Sequence, residues 1–88
     1  MKHYRSSIPK AAQERIVASH QSNGQKQKVD YLLDGEVVGI RWFDENGVLG
    51  SETPRKNGVT HGTMYYFDDR LDGVPRVTFA EPYTNGLV

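Results

Sequence analysis

Six times in this chain a glycine follows an asparagine or an aspartate: Asn23-Gly24, Asp34-Gly35, Asn46-Gly47, Asn57-Gly58, Asp72-Gly73 and Asn85-Gly86. A type I′ turn needs positive φ at both central positions, and these residue types tolerate it. The turn twists in the same sense as the strands it joins, so each pair predicts a tight antiparallel reversal. The first four glycines of this set stand 11, 12 and 11 residues apart. Intervals of that length hold one strand each, and the chain is expected to be an all-β antiparallel meander.

The intervals read as strands. Val29, Tyr31 and Leu33 alternate with Lys28, Asp30 and Asp34, with Leu32 intruding on the polar side. Ile40 and Trp42 share one face, and Arg41 and Phe43 share the other. Thr63, Tyr65 and Phe67 oppose Met64 and Tyr66, while Val77 and Phe79 oppose Thr78. Period-two alternation of β-branched and aromatic residues suits a half-buried pleated surface. Around residues 42 and 66 aromatics fall on both faces, so a single sheet would need one face covered. The N-terminal segment, strong curling or a partner could supply the cover.

The meander carries a repeat. Shifting the chain by 23 residues lays Gly24, Gly35 and Gly39 on Gly47, Gly58 and Gly62, and Trp42-Phe43 on Tyr65-Tyr66. An offset of 28 lays Pro54 on Pro82 and Asn57-Gly58 on Asn85-Gly86, with the extra five residues near Leu71–Pro75. A period in this range predicts stacked supersecondary units that bury a face against each other, here β-hairpins. Only the N-terminus departs. Ser7, Pro9 and the good helix formers after them predict a short helix around 9–15, placed to cap the open end of the stack. Residues 15–20 then read as a strand pairing with 27–33. The expected organisation is an arm or short capping helix over 1–17, its first six residues mobile, and a hairpin-repeat domain over 18–88.

Composition narrows the function classes. Eighty-eight residues, 36% of them hydrophobic, make one small domain that is marginally stable alone. Without cysteine there is no disulfide and no thiolate metal site. No apolar run approaches the roughly 20 residues of a membrane-spanning helix, and no signal-peptide core is visible, so the expected location is cytoplasmic. The charges balance at 11 against 11, yet residues 1–30 carry +4 and residues 31–88 carry −4. A basic N-terminal region on an acidic body can steer a partner or dock on its own body. It does not form the dense basic stripe of a nucleic-acid binder.

At the level of motif, Gly58-Val59-Thr60-His61-Gly62 resembles the G-x-x-H-G core of the MORN repeat, followed by the aromatic strand Thr63-Met64-Tyr65-Tyr66-Phe67. Gly35 to Phe43 resembles a preceding copy, with Val38 where the family prefers His, and Pro82 to Val88 the opening of another. The similarity runs from about Ala18 to Val88 and is nearest to bacterial MORN-variant proteins of the YwqK-type antitoxin kind. This resemblance implies a curved antiparallel sheet of hairpins that binds proteins, in some members acidic lipids, with no enzymatic activity and no cofactor or metal.

Candidate chemistry is sparse. His61 follows a turn and precedes Gly62, a position from which its imidazole can bond a neighbouring strand and fix register. As a base it would need an orienting group, and none is spaced for it. Ser51, His61 and Asp68 could be drawn as a triad, but no nucleophile elbow is present. Asp44-Glu45 and the acidic group at 68, 69 and 72 lack calcium-loop periodicity. The glycines, Gly24, Gly35, Gly39, Gly47, Gly58, Gly62 and Gly86 among them, are expected as turn and register positions. The aromatics are too many for one thin core. Arg41, Trp42, Phe43, Tyr65, Tyr66 and Tyr83 are the expected partner-binding residues, since Tyr, Trp and Arg dominate interface hot spots. The last stretch, Thr84 to Val88, has no charge or proline to block pairing, and a homodimer or an added partner strand is expected there. The expectation is a non-enzymatic, antitoxin- or immunity-like neutraliser of a cytoplasmic protein. The alternatives are a binder of anionic lipid headgroups through basic residues 2–28, and a small hydrolase centred on His61.

Overall fold

The structure, a computed structural model, describes residues 4–69 and 75–88. Seven strands follow in order: β1 (Gln13–Ser19), β2 (Lys26–Leu33), β3 (Glu36–Phe43), β4 (Leu49–Lys56), β5 (Val59–Thr60), β6 (Gly62–Asp69) and β7 (Pro75–Tyr83). All pairings are antiparallel. The sheet runs β1-β2-β3-β4-β6-β7, with the two-residue β5 also against β4. Apart from β5, strands that follow one another in sequence pair with one another, as a meander requires.

The turns divide into two kinds. Asp34-Gly35, Asn57-Gly58 and Asn85-Gly86 have positive φ at both residues, 52° and 79°, 52° and 81°, and 50° and 85°. Those values match the expected type I′ reversal. At Asn23-Gly24 and Asn46-Gly47 only the glycine has positive φ. Both loops are longer, and side chains complete them: Asn23 Oδ1 accepts the Gln25 N–H, and Asp44 Oδ1 accepts those of Asn46 and Val48. Asp72-Gly73 and the expected insertion near Leu71–Pro75, except Pro75 itself, lie outside the described residues.

The expected helix around 9–15 is absent. Residues 9–12 make one turn, closed by the Ala12 N–H donating to the Pro9 carbonyl at 3.1 Å, and the chain enters β1 at Gln13. A helix of about seven residues does not cover its own nucleation cost, whereas the same backbone in β1 pairs with β2 from Gln13↔Leu32 onward. The anticipated boundary between residues 17 and 18 therefore falls inside a strand, and the covering element is an extended arm of residues 4–12.

That arm crosses one face of the sheet. Ile8 is buried with Val29 and Tyr31, and Ala12, Val38 and Phe43 pack around them. Two glycines admit the arm. A Cβ on Gly39 would stand 2.4 Å from the Ile8 side chain, and one on Gly62 would stand 3.0 Å from Ser7. The C-terminus also differs from expectation. Thr84 and Leu87 bond each other across a closed turn, and the Gly86 N–H donates to the Thr60 carbonyl at 2.8 Å. The outer strand on that side is therefore β7.

Candidate functional site

The register sorts the side chains into two opposed rows. On the arm side, Ile16, Val29, Arg41, Glu52, Tyr65 and Ala80 stand opposite one another in turn across six strands. On the other side, Lys28, Trp42, Ser51, Tyr66 and Phe79 form the equivalent row across five. Adjacent residues point to opposite faces, so the expected contact strip splits. Arg41, Phe43 and Tyr65 lie with the arm, whereas Trp42 and Tyr66 lie on the open face.

Under the arm sits a polar network. Glu52 is fully buried, and its Oε1 accepts from Arg41 Nε at 2.7 Å and from the Tyr4 hydroxyl at 2.5 Å. Arg41 also donates to the Tyr4 and Ser6 hydroxyls, each at 3.3 Å, and its guanidinium lies 4.7 Å from the centre of the Tyr31 ring. Burial works against the Arg41 charge, yet the bonds to Glu52 and Tyr31 hold its pKa above the ordinary value. Tyr4 is pushed up by burial and then by its bond to Glu52. The Tyr65 hydroxyl accepts the Arg5 N–H and donates to the Arg5 carbonyl, both at 3.1 Å. Tyr4 packs edge-on against Tyr65 and Phe67, at 5.1 and 5.0 Å between centroids. These residues fasten the arm to β3, β4 and β6. Phe43 joins the core fringe, with Lys26 Nζ 4.5 Å from its ring centre.

Among the described residues nothing of this kind covers the open face. Trp42, Tyr66 and Phe79 are 43%, 44% and 40% exposed. Tyr66 and Phe79 meet at 5.7 Å between centroids, and Lys28 Nζ stands 5.4 Å from the Trp42 ring centre. A row of five strands spans roughly 20 Å at the usual interstrand spacing. Ser51 interrupts the aromatics, and Ile40 and Thr53 form the next pair along the strands. Tyr83 sits at the margin of this face and donates to Glu81 at 2.9 Å, which raises its pKa. Phe79 was not among the expected contact residues. Its signal in the sequence was the alternation of β7, masked by the register shift between Tyr66 and Phe67.

The remaining candidates scatter. His61 Nδ1 accepts the Asn85 N–H at 3.2 Å, and the His61 backbone N–H donates to the Pro54 carbonyl at 3.1 Å, so the residue ties the Asn85-Gly86 turn to β4. Ser51 is paired with Tyr66 near the middle of β6, whereas His61 precedes that strand and Asp68 is near its far end. Seven residues of strand place His61 and Asp68 roughly 23 Å apart. Of the basic residues over 2–28, Lys2 lies outside the described residues, Arg15 bonds Asp30 at 3.0 Å, Lys26 lies 3.5 Å from Glu14, and Lys28 rides on Trp42. Arg5 and Lys10 flank a cleft beneath the arm, with Arg41 at its wall. Among the described residues no helix is long and apolar enough to cross a membrane, and no three His, Cys, Asp or Glu side chains gather as a metal site. Compared with known proteins, the chain matches no family model, no curated protein and no solved structure.

Proposed function

We propose that this protein is a non-enzymatic binding module that covers a complementary surface of another protein with the open face of its sheet. The observation that carries the reading is the row Lys28–Trp42–Ser51–Tyr66–Phe79 on the face opposite the arm, in which all three aromatics are exposed. Tyr and Trp supply rigid, amphipathic contact area, and hydroxyl residues between them satisfy a partner's polar groups. The molecule measures 34 × 32 Å across its two longer axes, an outline that accommodates the roughly 800 Å² per partner of a standard interface.

The finer reading is a stack of MORN-like hairpin repeats, acting as an antitoxin- or immunity-like neutraliser of a cytoplasmic protein. Its support is the matching φ pairs at Asp34-Gly35, Asn57-Gly58 and Asn85-Gly86, spaced by 23 and 28 residues, and the like use of Gly39 and Gly62 beneath the arm. The contact residues in this proposal are Trp42, Tyr66 and Phe79, with Tyr83 at the rim. Arg41, Phe43 and Tyr65 hold the arm and face away.

Trp42 is the single tryptophan and so reports on its own site. A partner captured from the native cell, purified and titrated against the full chain, is expected to shift Trp42 emission to the blue. Tyr66→Ala is expected to weaken that binding about tenfold or more while leaving the circular dichroism unchanged. Wild-type affinity in both Trp42→Ala and Tyr66→Ala would place the contact elsewhere.

A further inference from the structure

The sheet has two outer strands, and they are unlike. Within β7, Pro82 has no N–H to offer, and after Tyr83 the chain folds back into the Thr84–Leu87 turn. β1 reads Gln-Glu-Arg-Ile-Val-Ala-Ser, with neither proline nor glycine. An edge strand is ordinarily guarded by charges that project past its free backbone groups. The two charges of β1 are instead drawn inward over β2. Glu14 accepts from the Tyr31 hydroxyl at 2.7 Å, and Arg15 donates to Asp30 at 3.0 Å. Between them and the strand's end, Ile16 and Val17 remain 58% and 50% exposed. An outer strand with free backbone groups, an apolar centre and tethered charges is an edge prepared for pairing.

We propose that the occupant is a second copy of this chain, pairing β1 antiparallel with β1 about a two-fold axis through Ile16. An axis perpendicular to the sheet sets Ile16 against Ile16 and the charged 14–15 end of each strand against the uncharged 17–19 end of its partner, so no like charges are opposed. It keeps the arms of both copies on one side and carries the arm-side row that ends at Ile16 straight through into the second sheet. The same operation closes, because it uses up both β1 edges and leaves at the ends only β7, where Pro82 discourages further addition. Stacking β1 on β7 head to tail would instead run on without limit and meet that proline. Register shifts beside Ile16 and Ala18 twist the strand and shorten the ladder, which makes the dimer concentration-dependent rather than obligate.

The absence of cysteine allows a direct test with the full chain. Sedimentation equilibrium of the wild type is expected to show the 9.9 kDa monomer passing to twice that mass as concentration rises. Ile16→Lys is expected to keep the wild-type circular dichroism and to remain monomeric throughout. Among single-cysteine variants under mild oxidation, Ile16→Cys is expected to form a disulfide-linked dimer, because an axis through residue 16 sets the two Cβ atoms directly opposite each other. Ala80→Cys on β7 and Thr53→Cys on the open face are expected not to link. A wild type that is monomeric at every concentration overturns the proposal. So does a dimer that survives Ile16→Lys, or one that links through Ala80 or Thr53 as readily as through Ile16.

Discussion

Glu52 shows how a charge can be stored in so thin a protein. Its side chain is fully buried, and both donors bind Oε1, leaving Oε2 without a hydrogen-bond partner among the described residues. Removing one member of a buried pair strands the other, a larger effect than the pair's net contribution. Glu52→Ala is therefore expected to lower stability by about 3 kcal/mol, measured as a shift of the urea midpoint at constant slope. Ionisation of the tyrosines acts at the opposite end of the pH scale from that of Glu14. Tyr31 is pushed up by burial and by Glu14, and Glu14 is held down mainly by the Tyr31 hydroxyl. A group whose pKa is raised on folding contributes stability below its ordinary value, 10.0 for tyrosine, and that contribution fades as pH climbs through the raised one. For Glu14 the contribution is present above 4.5 and fades as pH falls. The contribution of Glu14 and the raised tyrosines is thus expected to be constant between these limits and to fade on both sides. Tyr31→Phe should shallow both declines, as read from urea midpoints across the pH range.

Among the elements, the arm decides which face is free. Ile8 fills the space that the missing Cβ of Gly39 leaves, so the two residues act as knob and socket. Ile8→Ala is expected to cost about 2 kcal/mol and to raise the exposure of Tyr65, checked by denaturation and by acrylamide quenching of tyrosine emission. Much of this was legible beforehand. The Asn/Asp-Gly pairs within the described residues marked reversals, and the alternation marked the strands. The pairing of Arg41 with Glu52 was also available, since both lie equally far from the Asn46-Gly47 turn. The helix expectation failed because local propensity at Ala11–Arg15 competes with a ladder to β2 that no local window contains. The division of the aromatic strip was hidden for a related reason. Alternation tells which residues share a face, but only the arm's position tells which face is open, and that position depends on Tyr65 and Glu52, far along the chain.

On the scale of the whole molecule, one layer of sheet and one strap of chain enclose a very small interior. Ile8, Val29, Tyr31, Pro54 and Tyr65 are its larger buried apolar side chains among the described residues. Small single-layer folds are commonly stabilised further by association, and both the exposed aromatic row and the unguarded β1 edge provide for it. The arm also sets an order of events. Arg5 bonds Tyr65, sixty positions later, and Ser7 meets Gly62. Contacts between residues so distant in the chain close late, after loops that span most of it. During synthesis the segment that emerges early must wait, unberthed, until β6 has left the ribosome. Until then a hydrophobic knob and a half-built socket are exposed together, and a neighbouring nascent copy can offer either one its counterpart.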